Sequence, residues 1–426
     1  MRLLLPLVPR SQRRAVSTET IQGWAKGVQK SGQNVFVKVD DGRGGELVQL
    51  VATKEVGKEV RVGCALTASG SVQKSKGAQQ ETEFVAEKLR VVGLDSNPRY
   101  DVSPDNLRKK THLRARNAQF AALLRARSAI FRETHEFFMS RDFVHIDTPK
   151  LTRNDCEGGG EVFDVVATSE EGSEEGDERM YLSVSSQLHL EAMISRLMRV
   201  YTLGPAFRAE KQQSHAHLSE FHMLEAEVAF VETVDEMCTI VESYVQQMIH
   251  SVHNYEQLIS DVKMIGFDPV DPSISTTPFP RITYEEAVKL LVSKGEKVTA
   301  KSGFSKKNEL ELVKLHQNLP LFVTHYPTDQ KPFYMARTKD ANHTLSFDLL
   351  VPGVGELAGG SVREPNAEEL QRRGCGIDWY LEMRKRGQPP SAGFGVGFER
   401  LLQFLFGVQN IKDTISFPRW HRHCQC

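Results

Sequence analysis

The sequence predicts an α+β protein of two folded parts: a small N-terminal β-barrel, and a larger C-terminal domain with an antiparallel sheet flanked by helices. Three observations predict it. Residues 21–92 carry five short alternating or apolar runs with glycine-rich turns between them, the pattern of a small closed barrel such as an OB-fold. Residues 117–141 set Phe120, Leu123, Leu124, Arg127, Ile130, Phe131, Phe137 and Phe138 at helical spacing. Residues 201–230 alternate at period two on either side of a polar loop, which reads as a hairpin. At 426 residues the chain also exceeds one ordinary domain.

Composition narrows the class. Hydrophobic content of 40% and charged content of 26% describe an ordinary globular chain rather than a disordered one. With 54 Lys+Arg against 55 Asp+Glu, a nucleic-acid partner has to be met by a local basic surface, not by overall charge. The six cysteines form no CxxC pair and read as reduced thiols. The tail group His421, His423, Cys424 and Cys426 reads as a frayed end rather than a tetrahedral metal site. No apolar run is long enough to span a membrane.

Taken in order, residues 1–17 hold four arginines with no acid before Glu19, the character of a mitochondrial presequence; a plain basic tail has the same composition. Barrel strands are expected at 22–28, 35–39, 47–52, 60–66 and 83–92. Residues 95–116 form a charged connector whose Arg108, Lys109, Lys110, Arg114 and Arg116 suit either nucleic-acid phosphates or a solvated linker. The helix 117–141 runs into a strand-like FVHIDTP ending at Pro149. The glycine-rich loop 154–165 carries Glu157 and Glu161 and lacks the lysine of a phosphate cradle. Residues 181–193, YLSVSSQLHLEAM, are a strand followed by a helix start that Ser185 or Ser186 can cap.

In the hairpin, Arg208 and Glu210 alternate with Phe207 and Ala209. Leu224, Ala226, Val228 and Phe230 make an apolar face against Phe221, Met223, Glu225 and Glu227. Such a polar face suits a nucleotide, with arginine for phosphate, a ring for the base and acids for an amino group or metal; a solvated face has the same pattern. A helix at 234–251, an irregular proline-rich stretch at 261–280, two helical pieces over 283–315 and an apolar strand at 321–326 follow. Residues 343–364 hold Asp348, Glu356 and Arg363, which on their own suit a structural salt-bridge set. Strict alternation sets Glu356 and Arg363 on opposite faces, and a bulge at Gly359-Gly360 would restore a common one. Residues 393–406, GFGVGFERLLQFLF, are a glycine-rich strand entering a helix that bears Arg400.

FRAE, a loop and HLSEF together resemble motif 2 of the class II aminoacyl-tRNA synthetases. The helix, strand and proline of 117–149 resemble motif 1, and GFGVGFERLLQFLF resembles motif 3. The resemblance runs from about residue 21 to the end and is strongest to the asparagine-specific, mitochondrial branch. It implies an OB-fold anticodon-binding domain over 18–95, a linker over 96–116 and a class II catalytic domain over 117–426. It implies that Phe36 and Gln49 meet anticodon bases of tRNA(Asn), although both also suit ordinary strand positions. Arg208 would bridge the α-phosphate of ATP and the attacking carboxylate. Phe221 and Arg400 would flank adenine, with Glu210 and His217 also on ATP. Asp348 and Glu356 would hold Mg²⁺. Gln187, Glu225 and Arg363 would bind L-asparagine under a lid carrying Glu157.

Aspartate-specific members carry a lysine three residues after the glutamine of this motif. Here the position is Leu190, which implies a neutral carboxamide substrate. The family also implies a homodimer through 117–149, a reading that a buried helix in a monomer would share. The expected activity is ATP-dependent ligation of L-asparagine to tRNA(Asn) in the mitochondrial matrix. An aspartate-specific or non-discriminating synthetase, an ammonia-using asparagine synthetase and a catalytically silent RNA-binding paralogue stand as alternatives.

Overall fold

The computed structural model describes residues 19–75, 80–95, 103–153, 162–166, 179–211, 214–299, 301–424 and 426. The chain divides into two compact units, Met1–Asp101 and Val102–Cys426.

In the first unit, β1 (Glu19–Ser31), β2 (Asn34–Asp40), β3 (Val48–Thr53), β4 (Ala65–Lys74) and β5 (Thr82–Gly93) close into a barrel in the order β1-β2-β3-β5-β4. Alternation sends Val35, Val37, Val39, Leu50, Ala52, Leu66, Ala68 and Phe84 into its core. The fourth strand begins at Ala65 rather than at residue 60. Gly63, at a φ of +86° that L side chains avoid, turns the chain there, yet Val60 and Cys64 still fill the core.

The second unit opens with α1 (Pro104–Lys109) and a 3₁₀ turn, Thr111–Arg116. The expected linker is therefore part of this domain. Arg114 is buried and donates to the carbonyls of Lys412, Ile415 and Ser416, while Arg108 pairs with Asp413. Neither side chain is left for phosphates; Lys109, Lys110 and Arg116 stay on the surface. Next comes α2 (Ala118–Met139), where the Asn117 side chain accepts the Phe120 N–H as an N-cap.

The chain continues through β6 (Val144–His145), β7 (Leu151–Thr152), β8 (Asp164–Val165), β9 (Met180–Leu182) and α3 (Gln187–Met193). The hairpin is β10 (Arg199–Phe207) and β11 (Glu220–Ala229), followed by α4 (Val234–Asn254) and α5 (Glu256–Ile265). Then come β12 (Arg281–Thr283), α6 (Tyr284–Ser293), α7 (Lys306–Leu315), β13 (Leu321–Thr324), β14 (Ser346–Val351) and β15 (Gly355–Val362). The last elements are α8 (Ala367–Arg372), α9 (Asp378–Lys385), β16 (Ser391–Gly397) and α10 (Phe398–Phe406). Among the described residues the main sheet has eight strands, ordered β12-β13-β14-β15-β16-β11-β10-β6. It is antiparallel except at its edges, where β12 with β13 and β10 with β6 run parallel.

One face of this sheet carries the main core. Leu224, Ala226 and Val228 pack there with Phe138, Tyr201, Tyr244 and the α10 side chains Leu401, Leu405 and Phe406. Each such fully buried large side chain contributes about 2 kcal/mol. Phe230 does not join this face. The strand ends at Ala229, and Phe230 has a φ of +60° and is 65% exposed. The start of the stretch expected to be irregular is helical: Leu258, Val262 and Ile265 give α5 an apolar stripe against the core, Asp261 pairs with Arg125 of α2, and Gly266 ends it in the left-handed region.

Candidate functional site

The opposite face of the sheet holds a cavity of about 400 Å³. Its walls come from both arms of the hairpin, from β14, β15 and β16, and from the first turns of α3 and α10. The catalytic-domain residues singled out from the sequence line it together: Gln187, Arg208, Glu210, His217, Phe221, Glu225, Asp348, Glu356, Arg363 and Arg400. Glu157 lies outside the described residues. Phe36 and Gln49 are half-buried on β2 and β3, where pairing of Phe36 with Val51 and Lys38 with Gln49 puts both on the outer barrel face.

Glu356 and Arg363 do share a face, but not through the two glycines. Leu349 pairs with Ala358 and Leu350 with Glu356, so Leu357 is the extra residue of a β-bulge. One unpaired residue reverses the alternation, which brings Glu356 onto the side of Gly359, Ser361 and Arg363. Gly359 serves a different purpose. A Cβ there would stand 3.2 Å from Asp348 Oδ1 and 3.6 Å from Glu356 Oε1, so the glycine is the floor over which the two carboxylates converge.

This convergence fits a cation. The Lys331 ammonium already lies 2.9 Å from both Asp348 oxygens, marking where positive charge is stabilised. Burial pushes Asp348 up while Lys331 pulls it down. Among the described residues no group of three or more ligating side chains makes a dedicated metal cage. Mg²⁺ bound by one or two carboxylates and completed by phosphates needs none.

At the nucleotide end, the Arg208 guanidinium lies 5.6 Å from the centre of the Phe221 ring. His217 Nε2 is 3.6 Å from Glu210, and burial holds its pKa below the ordinary value. Arg400 donates to the Glu356 carbonyl at 2.9 Å, tying the helix after β16 to the bulged strand. Glu399 beside it is buried, forms an ion pair with Arg127 of α2 and accepts from the His222 backbone N–H, which anchors α10 beside the cavity.

Glu225 is engaged rather than free. Its carboxylate accepts from the Ser185 hydroxyl and from the Ser186 N–H at 2.9–3.0 Å. It thereby caps α3 and positions Gln187. The Ser186 hydroxyl makes no cap, whereas Ser185 Oγ accepts the Gln187 N–H at 3.1 Å and so satisfies the first free donor of α3.

A buried ion pair in the cavity lining was only half visible from the sequence. Arg363 donates through Nε and Nη2 to both oxygens of Glu227, and through Nη1 to Ser361 at 2.8 Å. Both residues of the pair are buried and line the cavity. Gly393 makes the approach possible, since a Cβ there would fall 2.0 Å from Glu227 Oε1. Burial and the nearby Glu191 raise the Glu227 carboxyl above the ordinary range, against the pull of Arg363. Two guanidinium donors on its two oxygens are the geometry of an ion pair. The sequence placed Glu227 on the polar face of β11; the facing Gly393 was the further signal.

Leu190 itself does not line the cavity. It is fully buried with Ile194, Val200 and Ala229, away from the cavity. On α3 the cavity side belongs to Gln187, and Gln187 Nε2 donates to Glu191 one turn on at 3.0 Å. A side chain at 190 sits about 60° round the helix from Gln187, and the packing of α3 turns it into that buried cluster rather than into the cavity.

The motifs, the bulged sheet and the cavity define a nucleotide-using class II synthetase fold. The chain belongs to this family: the description "tRNA synthetases class II (D, K and N)" matches residues 103–421, and "OB-fold nucleic acid binding domain" matches residues 19–92. Within the family it sits on the asparagine–tRNA ligase branch. It is 38% identical to asparaginyl-tRNA synthetase of Mus musculus, over 95% of this chain and 90% of that protein. It is 36% identical to the mitochondrial asparagine–tRNA ligase of Schizosaccharomyces pombe, over 94% of this chain and 93% of that protein. Among solved structures it resembles asparaginyl-tRNA synthetase from Pyrococcus horikoshii complexed with asparaginyl-adenylate. The TM-score is 0.85 at 29% identity, covering 94% of this chain and 95% of that one.

Proposed function

We propose that the protein ligates L-asparagine to tRNA(Asn) in two steps. The asparagine carboxylate attacks the α-phosphorus of ATP, forming asparaginyl-adenylate and releasing pyrophosphate. A hydroxyl of the terminal ribose of the tRNA then attacks the activated carbonyl, and AMP leaves. No side chain serves as a covalent nucleophile; orientation and charge neutralisation do the work. Arg208 neutralises the α-phosphate and the approaching carboxylate. Phe221 and Arg400 bind adenine from either side, with Glu210 and His217 beside them. Asp348 and Glu356 would hold Mg²⁺, which supplies charge neutralisation on the phosphates. Gln187 accepts from the α-ammonium group, in a position fixed by Glu225.

The observation that carries the choice of amino acid is the Arg363–Glu227 pair in the cavity floor. It offers a donor and an acceptor side by side. A carboxamide matches both, through its C=O and its NH₂. An aspartate carboxylate would face the Glu227 anion with no proton between them. ATP–pyrophosphate exchange with asparagine and aspartate in parallel tests the reading. Exchange with asparagine alone is expected; exchange with aspartate at comparable kcat/KM refutes the specificity.

Three finer readings accompany it. Phe36 and Gln49 on the outer barrel face support anticodon contact. The basic, acid-free stretch 1–17, which lies outside the described residues, and the likeness to a mitochondrial relative support a matrix location. The exposed Met139 of α2 and Val144 of the edge strand β6 support a homodimer through 117–149. Sedimentation velocity of the purified chain tests the last, with a monomer at micromolar concentration as the refuting result.

A further inference from the structure

Behind the cavity wall lies a set of charges that the two-step scheme does not use. Glu191 of α3 is fully buried. Its Oε2 accepts from Arg384 Nη2 at 2.5 Å and from the Tyr380 hydroxyl at 2.8 Å, both on α9. Its Oε1 accepts from Gln187 at 3.0 Å and stands 3.7 Å from Arg363 Nε. Gln388 also donates to its backbone carbonyl at 2.7 Å. Glu191 thus touches both Gln187 and Arg363, while Glu227 holds Arg363 from the other side.

We propose that Glu191 is a positioning and specificity-determining residue. It couples the group that meets the α-ammonium to the group that meets the side chain, and it balances the second guanidinium buried beneath the pocket. The inference rests on the asparagine reading above. Gln187 Nε2 is committed to Glu191, so its Oε1 is the atom left to accept from an ammonium group. Arg363 and Arg384 bring two positive charges, and Glu227 and Glu191 bring two negative ones. A pocket with no net charge at its floor favours a neutral side chain over a carboxylate, because a buried net charge is costly unless the ligand cancels it. Glu191 lines no part of the cavity, so its effect passes entirely through Gln187 and Arg363.

Glu191→Gln tests this, because it keeps the volume and removes one negative charge. In ATP–pyrophosphate exchange, the ratio of kcat/KM for asparagine over aspartate is expected to fall at least about tenfold, with the KM for ATP unchanged. Adding Arg384→Gln to it restores the balance of charge, and the ratio is expected to recover. A merely structural role would lower both amino acids' kcat/KM together and would not be rescued by a second buried substitution. Either an unchanged ratio in E191Q or no recovery in the double variant overturns the proposal. Should E191Q not fold, R384Q alone makes the floor negative and must widen the preference for asparagine; a narrowed or unchanged preference overturns it equally. Wild-type protein run alongside separates the two layers. If it fails to activate asparagine, the functional reading falls. If it activates asparagine while the variants keep its ratio, only the role of Glu191 falls.

Discussion

Replacing Glu227 by Gln isolates the interaction proposed to govern amino-acid choice. The side chain is 1% exposed, receives two bonds from Arg363 and lies against Gly393, so the amide fits the same space with no new void. What is lost is a buried, charge-assisted acceptor, worth about 1.5–3 kcal/mol. At about 1.4 kcal/mol per factor of ten, kcat/KM for asparagine is expected to fall by roughly 10- to 100-fold. Aspartate should gain relative to asparagine, since the anion that repels it is gone. The KM for ATP should stay constant, because Arg208, Phe221 and Arg400 are untouched. Leaving Arg363 with one carboxylate fewer also lowers stability, by up to about 3–5 kcal/mol, the cost of breaking a buried pair. The remaining Glu191, 3.7 Å away, softens that loss. Pyrophosphate exchange with both amino acids, with thermal unfolding of each protein as a control, measures these effects. An equal fold-change for asparagine and aspartate, or a KM for ATP that shifts as far as that for asparagine, would refute the assignment of Glu227 and Arg363 to the side chain.

Four further outcomes follow from the same geometry. Gly393→Ala should resemble loss of Glu227, because the new methyl would overlap its carboxylate; a variant with wild-type kinetics and melting temperature would contradict the packing. Leu190→Lys should destabilise by several kcal/mol through burial of an unpaired ammonium, with no gain in aspartate activation; a stable, aspartate-active variant would return Leu190 to the substrate site. Preference for asparagine should weaken as pH falls. Arg363 holds Glu227 as the anion while burial raises its carboxyl above the ordinary range, so the accepting anion is present at neutral and higher pH and is lost as pH falls; an asparagine-to-aspartate ratio that does not fall on acidification would count against this. Asp348→Asn should raise the Mg²⁺ concentration needed for half-maximal exchange by about tenfold or more, leaving the KM for asparagine near wild type; an unchanged Mg²⁺ dependence would remove Asp348 from the cation site.

Local pattern was enough for much of this protein. Period two in β2, β3 and the hairpin, and the 3.6-residue stripe of α2, are written in consecutive residues, and each strand or helix formed close to where its apolar face required. The motif residues needed only their order along the chain to be recognised, and those of motifs 2 and 3 converge on one cavity. What the sequence could not decide depended on partners far away in the chain. The common face of Glu356 and Arg363 turns on which residue of β15 is left unpaired against β14, a matter of register between strands. Leu190 and Gln187 are three residues apart, yet only the packing of α3 against β10 and β11 decides which one faces the cavity. Arg114 looked like a cation waiting for phosphate until the carbonyls of Lys412, Ile415 and Ser416 enclosed it. Charge is a long-range, context-dependent quantity, and burial sets its worth. The ion pairs proposed to set the selectivity of the pocket join α3, β11, the end of β15 and α9, and became visible only when the fold brought them together.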